Sequence, residues 1–311
     1  MRLAVVIVNW NSREDLRTCL ASLHTQTHHD LEVIVVDNGS TDGSAAMVSA
    51  DFPSCRLLAQ AENLGFAEGC NRGIEASTSA WVAMLNNDCV AEPGWAAGLV
   101  DAAHRAPVSC GMLQSLMVFL DRPETINSTG VELTALGGGR DRHKSRTWPN
   151  DESVRPAAIF CPTAGAAAYR RAMLDQIRLS TGYFDRSHFM YFEDLDLGWR
   201  ARLAGWEALY VPDSIVRHRW HGSTDRHGAA WLAVLSGINR VRTQIKNASP
   251  WLMTKTSPVT VVETLEIARH GGADGLRRLA AAVRESLALR EEVARLARVK
   301  RRAVERAWTT W

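Results

Sequence analysis

Two hydrophobic periods alternate along the N-terminal part of this chain. Leu3–Val8 is an unbroken, β-branched apolar run, the pattern of a strand buried on both faces. Behind it, Ser12 and Asp15 form an S-x-x-D capping box, and Leu16, Leu20 and Leu23 recur at helical spacing. Leu31–Val36 repeats the buried-strand pattern and ends at Asp37-Asn38-Gly39-Ser40. A helix between two such strands makes a βαβ unit, hence a parallel sheet. The alternation continues with a helix from about Gly43, a strand near Arg56–Ala59, a helix over Phe66–Ala76 and a strand at Trp81–Leu85. That last strand runs into Asn86-Asn87-Asp88. The pattern predicts an α/β chain with an open, mostly parallel sheet flanked by helices. In such sheets ligands bind where loops leave the carboxyl ends of the strands. Asn9-Trp10-Asn11, Asp37 and Asp88 all stand at ends of that kind.

Residues 118–156 lose this periodicity. Gly137-Gly138-Gly139 is followed there by Arg140, Arg142, Lys144 and Arg146, which reads as a mobile loop or as a loop that meets a substrate. Regular structure resumes over Ala157–Tyr169, a helix opens at Glu193-Asp194, and Trp206–Val211 reads as a strand closed by Pro212. From about residue 225 the pattern is helical, with breaks at Ser249-Pro250 and Gly271-Gly272. The chain is therefore expected to divide at residue 245 into a body, 1–245, and a helical extension, 246–311.

Composition sharpens that division. The chain has 311 residues, 46% hydrophobic and 23% charged, which excludes a disordered, collagen-like or multispan membrane protein. A net charge of +2 gives no whole-chain case for nucleic acid. Residues 276–311 nevertheless hold ten Lys/Arg against four Glu, a surplus of six, which leaves the preceding residues at −4. Leu276, Leu279, Val283 and Leu287, then Val293, Leu296, Val304 and Trp308, recur at helical spacing with basic residues between them. Such a helix fits an anionic membrane surface, the body of the protein or a second subunit. The six cysteines form no C-x-x-C pair and read as reduced thiols. The short apolar run before Asn9 falls below a secretory leader. These two features lead us to expect a cytoplasmic protein, peripheral on the inner face of the cell membrane if the basic tail docks there.

Four groups of residues can carry chemistry. Asp37 either accepts hydrogen bonds from a nucleobase or ribose or closes an Asx turn. Asn86-Asn87-Asp88 offers one carboxylate to Mg²⁺ or Mn²⁺ bridging a diphosphate, or is a plain turn. Glu193, Asp194 and Asp196 lie among Phe189, Met190, Tyr191 and Phe192. There they answer a helix dipole, or they are carboxyls raised towards general-base values by an apolar setting. His218 and His221 are metal ligands or partly exposed histidines. Gly65, Gly69 and Gly73 are spaced evenly by four and do not match the dinucleotide fingerprint. A P-loop, a G-x-S-x-G elbow and H-E-x-x-H are also missing.

Six stretches, taken in order, resemble glycosyltransferase family 2, the large family of GT-A-fold inverting enzymes. They are VVIVNWN (5–11), EVIVVDNGSTDGS (32–44), ENLGFAEGCNRGI (62–74), MLNNDCV (84–90), GYFDRSHFMYFEDLDLGWRARLAGW (182–206) and VRHRWHGST (216–224). The set is most similar to a rhamnosyltransferase-like bacterial branch, which carries N-N-D in place of D-x-D. The resemblance implies a nucleoside-diphosphate-sugar donor and a saccharide or lipid-linked saccharide acceptor in cell-surface polysaccharide or glycolipid assembly. By position, Asp37 would hold the uracil or thymine and ribose, beside Asn9, Trp10 and Asn11. Asn63 and Asn71 would form the donor-side loop and helix. Asp88 would be the principal metal ligand with Asn86 and Asn87 beside it, joined by His218, and Asp194 of the Glu193-Asp194 pair would be the catalytic base. Trp10, Trp148, Trp199, Trp206 and Trp220 lie near these segments, as sugar platforms or as core. A sugar-nucleotide-binding or scaffold protein with impaired catalysis is the alternative. A nucleotidyltransferase would need a Gly-rich phosphate loop, which Asn9-Trp10-Asn11-Ser12 lacks.

Overall fold

A computed structural model describes residues 1–219 and 228–310. Its first half alternates as the pattern requires: β1 (Leu3–Asn9), α1 (Arg13–His24), β2 (Leu31–Asp37), α2 (Ser44–Asp51), β3 (Arg56–Ala59), α3 (Phe66–Ala76) and β4 (Trp81–Leu85). Then come β5 (Cys89–Ala91), α4 (Trp95–Arg105), β6 (Cys110–Phe119), β7 (Ile126–Ser128), β8 (Val131–Thr134), β9 (Gly139–Asp141), β10 (Ala157–Ala158) and β11 (Ala166–Arg170). The remainder is α5 (Arg171–Ile177), α6 (Glu193–Leu203), β12 (Glu207–His218), α7 (Ala229–Asn247), α8 (Pro250–Lys255), α9 (Ser257–Leu296), α10 (Arg301–Trp308) and β13 (Thr309–Thr310).

The main sheet runs β10-β12-β6-β11-β4-β1-β2-β3, with β5 on β12 and β7 on β6. Strands β1, β2, β3 and β4 are mutually parallel, and β11 enters antiparallel between β4 and β6. The register pairs Asn9 with Asp37 and Asp37 with Ala59, so the polar residues that follow the apolar runs emerge together at one sheet edge. The evenly spaced glycines belong to packing. A Cβ on Gly73 would lie 2.1 Å from Val6, and one on Gly69 2.6 Å from Val8, so α3 lies flat on β1.

Three local expectations are corrected. Ser12 precedes α1, but its hydroxyl makes no cap to the backbone; it donates to Asp15 Oδ2 at 3.0 Å. Pro212 does not close its strand. β12 continues to His218 through a register shift between Val211 and Ile215, an irregularity that admits a residue without an N–H. The stretch 118–156 is partly regular: β7 extends the main sheet, and β8 and β9 form a hairpin to which β13 adds a third strand.

The breaks read at Ser249-Pro250 and Gly271-Gly272 are present. Ser249 caps α8, and α9 bends at Gly272, which takes φ 56° and ψ −147°. Residue 245 lies within α7, and the chain beyond that helix packs back on the body. Arg290 donates to the carbonyls of Ile245 and Ala248, and Arg301 to that of Lys246, so two tail arginines serve the carbonyl end of α7. Glu305 receives the Ser249 N–H and hydroxyl, each at 2.6 Å. Val293 and Val304 are buried, whereas Leu276 and Leu287 are 41% and 54% exposed. Among the described residues no helix is long and apolar enough to cross a membrane. Five cysteines are buried, Cys55 is partly exposed, and all six are free.

Candidate active site

The strand ends hold one another. Asn9 Nδ2 donates to Asp37 Oδ1 at 3.0 Å, Asn87 Nδ2 donates to Asn9 Oδ1 at 2.8 Å, and the Ser40 N–H donates to Asp37 Oδ2 at 3.0 Å. Asn9 is fully buried and Asp37 is 2% exposed. Asn11 sits at φ 49°, and its side chain accepts the Thr41 N–H at 2.7 Å. Asn63 accepts the Gly65 N–H at 2.9 Å just before α3. Asn71 lies deeper, with its amide closing a pair of bonds to the Phe184 backbone at 2.8 and 2.9 Å.

Beside this network Asp88 and His218 meet. Asp88 Oδ1 lies 3.1 Å from His218 Nε2, yet among the described residues it accepts no aligned hydrogen bond. His218 Nδ1 is 3.0 Å from Asn127 Oδ1 on β7. With Nδ1–H donating to Asn127, Nε2 presents a lone pair to the point the Asp88 oxygen faces, the arrangement of a metal-ligating histidine with an orienting partner. An orphaned carboxylate oxygen and an oriented imidazole fit a Mg²⁺- or Mn²⁺-sized cation. Cys89 also lies in the cluster. Its thiol donates to the Gly165 carbonyl at 3.7 Å, and burial raises its pKa well above the usual thiol range, so it stays protonated.

The acids follow a backbone of unusual shape. Phe189, Tyr191 and Phe192 have φ of 63°, 67° and 70°, left-handed values costly for residues with a Cβ. α6 starts directly after them, with Glu193, Asp194 and Asp196 in its first turn. Asp194 accepts the Leu195 N–H at 2.7 Å and the Ala164 N–H at 3.4 Å. Desolvation outweighs those bonds, with Asp141 adding to it, and raises the Asp194 pKa above the ordinary range. Glu193 is pushed up well above its usual value by desolvation and by the Asp194 charge, and one of its carboxylate oxygens has no partner among the described residues. Asp194, with two amides on it, is the better-supported anion of the pair; Glu193 holds the proton longer.

A cavity of about 430 Å³ gathers much of this chemistry. Of the residues singled out from sequence, Trp10, Asn63, Asn86, Asn87, Asp88, Glu193, Asp194 and His218 line it. Asn9, Asn11, Asp37 and Asn71 do not; they brace it through the bonds above. Trp199 is fully buried core, while Trp148 and Trp206 pack against the core. His221 and Trp220 lie outside the described residues. The structure places Arg140, noted after the glycine run, in the lining and adds Asn127, Asp141 and Thr163. A lone Asn in a short strand carries no pattern, so Asn127 could not be found by periodicity. Arg140 and Asp141 were signalled only by the glycine run before them.

Comparison with known proteins bears on the family and the fold. The glycosyl transferase family 2 model matches residues 4–178. An N-acetylglucosaminyl-diphospho-decaprenol L-rhamnosyltransferase of Mycobacterium tuberculosis is 32% identical over 255 residues, covering 74% of this chain and 80% of that one. A mannosyltransferase from Pyrobaculum calidifontis in complex with GDP-Man and Mn²⁺ superposes with a TM-score of 0.56 at 16% identity, over 99% of this chain and 87% of the other. GalNAc-T7 with UDP, GalNAc and Mn²⁺ superposes with a TM-score of 0.62 at 14% identity, over 93% and 58%. At such identities the two structures speak for the GT-A fold alone. The sheet, the strand-end crevice and these matches make the chain a member of glycosyltransferase family 2, a transferase of rhamnosyltransferase-like sequence.

Proposed function

We propose that the protein moves a sugar, rhamnose or another hexose, from a nucleoside-diphosphate donor to a lipid-linked saccharide, with inversion at the anomeric carbon. The observation that carries this reading is that the Asp88–His218 pair and Asp194 line one cavity. Asp194 takes the proton of the acceptor hydroxyl as it attacks, and the upward shift of its pKa by burial makes it a stronger base than an ordinary carboxylate. Glu193 beside it, whose pKa burial and the Asp194 charge push up further, takes a proton more readily and so limits the negative charge in the same space. Asp88 and His218 would hold Mg²⁺ or Mn²⁺, which supplies positive charge where the diphosphate leaves. The bonds of Asn9, Asp37 and Asn87 hold the strand ends in place around the uridine or thymidine part of the donor. The lipid-linked acceptor is proposed from the M. tuberculosis relative, whose name specifies such a substrate. Contact of 276–311 with the cytoplasmic face of the membrane is part of the same reading, supported by the exposed Leu276 and Leu287 among basic residues.

The test is transfer from labelled thymidine- and uridine-diphosphate sugars to N-acetylglucosaminyl-diphospho-polyprenol with Mg²⁺ or Mn²⁺. Labelled lipid is expected with one base and one sugar. Binding of these nucleotides without transfer to lipid or saccharide acceptors would favour a sugar-nucleotide-binding scaffold instead.

A further inference from the structure

Helix α7 turns a polar stripe to the interior. Asn239, Thr243, Lys246 and Asn247 are all fully buried, and each bonds to the segment 185–196. Lys246 pairs with Asp185 and, at 2.8 Å, with Asp196. Asn247 Nδ2 donates to Asp196 Oδ1 at 2.8 Å, and Thr243 Oγ1 lies 3.1 Å from His188 Nε2. A buried helix face is ordinarily apolar, so this stripe is built for the segment it holds.

Asn239 has a particular target. Its Nδ2 lies 2.8, 2.9 and 3.0 Å from the carbonyl oxygens of His188, Met190 and Tyr191. Three carbonyl oxygens repel one another when drawn together, and an NH₂ group with two hydrogens is the neutral donor that can hold them. Those carbonyls belong to the strained loop. Phe189, at φ 63° and ψ −64°, is the centre of a classical γ-turn, the rare form, closed by the Met190 N–H on the His188 carbonyl at 2.7 Å. The same loop reaches the donor side, where the Phe189 carbonyl accepts the Ala67 N–H at 3.1 Å. The Asn239 amide oxygen is buried without a partner among the described residues, so only the donor end of this amide is used.

We propose that Asn239 is a positioning residue for sugar transfer. Its amide holds the His188, Met190 and Tyr191 carbonyls converged and keeps the left-handed loop in the shape that starts α6 at Glu193 and sets Asp194 in the cavity. The inference rests on the proposed role of Asp194. Asn239 also lies beyond the residues the family model matches.

The experiment compares Asn239→Asp and Asn239→Leu, both close in size, with Ile238→Ala, a core change on the same helix that leaves the loop alone. Two readouts are taken. With thymidine-diphosphate-rhamnose and N-acetylglucosaminyl-diphospho-polyprenol, kcat is expected to fall at least tenfold in both Asn239 variants, with donor KM within threefold. Ile238→Ala keeps kcat within threefold despite its lower Tm. Without any substrate, amide hydrogen exchange in 186–196 is expected to rise at least tenfold in Asn239→Leu and not in Ile238→Ala. Asn239→Gln, which keeps both N–H groups, is expected to fall between wild type and Asn239→Leu in both readouts, and it carries the test if the other two aggregate. Unchanged exchange in 186–196, kcat within threefold of wild type in the Asn239 variants, or an equal loss in Ile238→Ala overturns the assignment. If instead Asp194→Asn keeps wild-type kcat, it is the base assignment that fails, and the exchange result still stands.

Discussion

The strand-end wall and the acid wall of the cavity hold their polar groups by different means. At the strand ends, Asn9 and Asp37, which brace the cavity without lining it, are register partners in a parallel ladder, bonded to each other and to Ser40 and Asn87 in the neighbouring loops. Backbone geometry does most of the positioning there. At the acid wall, Asp194 follows three left-handed residues, and the surrounding segment is held by full charges taken out of water: Asp185, Asp196, Arg200 and Lys246. A wall set by a sheet responds locally to substitution. A wall set by a strained loop and buried charge depends on residues far along the chain, down to the tail arginines at the end of α7.

The comparison breaks first at the base. Asp194→Asn should lower kcat by about 10²–10⁴-fold with donor affinity little changed, because a positioned base contributes that much. Retention of more than a tenth of kcat would move the base elsewhere. Next is Lys246→Met, which leaves Asp185 and Asp196 buried without their shared cation. Urea unfolding should show a loss of about 3–5 kcal/mol, and a loss under about 1 kcal/mol would mean that the acid wall does not rest on this charge. Asp37→Ala tests the other wall. It frees the Asn9 amide and the Ser40 N–H, and donor binding measured by calorimetry should weaken by about 1–3 kcal/mol with kcat affected less.

The last test is a pH slope. Burial and the Lys246 charge hold His188 neutral, with its pKa lowered to about 4. Between that value and the ordinary histidine value of 6.5 the unfolded chain binds a proton that the folded one refuses. Stability therefore falls as pH drops through this window, by at most about 1.4 kcal/mol per pH unit. Asp185 and Asp196, both held below the usual range with Lys246 as the main favourable charge, lose their contribution only at lower pH. His188→Gln should flatten the slope between pH 6.5 and about 4, and an unchanged slope would place the titrating group elsewhere.

The strand-end wall was legible in the sequence because one apolar run per strand fixes both the burial and the point where polar residues emerge. Asp37 and Asp88 were found that way. Glu193 and Asp194 were visible as acids out of place among Phe189, Met190, Tyr191 and Phe192. What could not be read is how they are held. Asn239, Thr243 and Lys246 look like ordinary polar positions on a helix, and their bonds cross 51, 55 and 61 residues of chain. Asn127 is invisible for the same reason, being 91 residues from His218. The strand expected to stop at Pro212 shows the opposite limit. A local rule about proline was overruled by a sheet that accommodates it in an irregular register.

The third strand of the small hairpin sets a timetable for making the enzyme. Thr310 Oγ1 donates to the Leu133 carbonyl across 177 residues of sequence. At 5–20 residues per second, a ribosome needs roughly 9–35 s to travel that interval. The strand-end wall can assemble on the nascent chain meanwhile, since its partners emerge early. β9, which brings Gly139, Arg140 and Asp141 to the cavity, pairs with β8 within the hairpin itself, and β13 joins the other side of β8 only at the end of synthesis. A young chain would thus acquire its nucleotide side well before the small sheet gains its third strand.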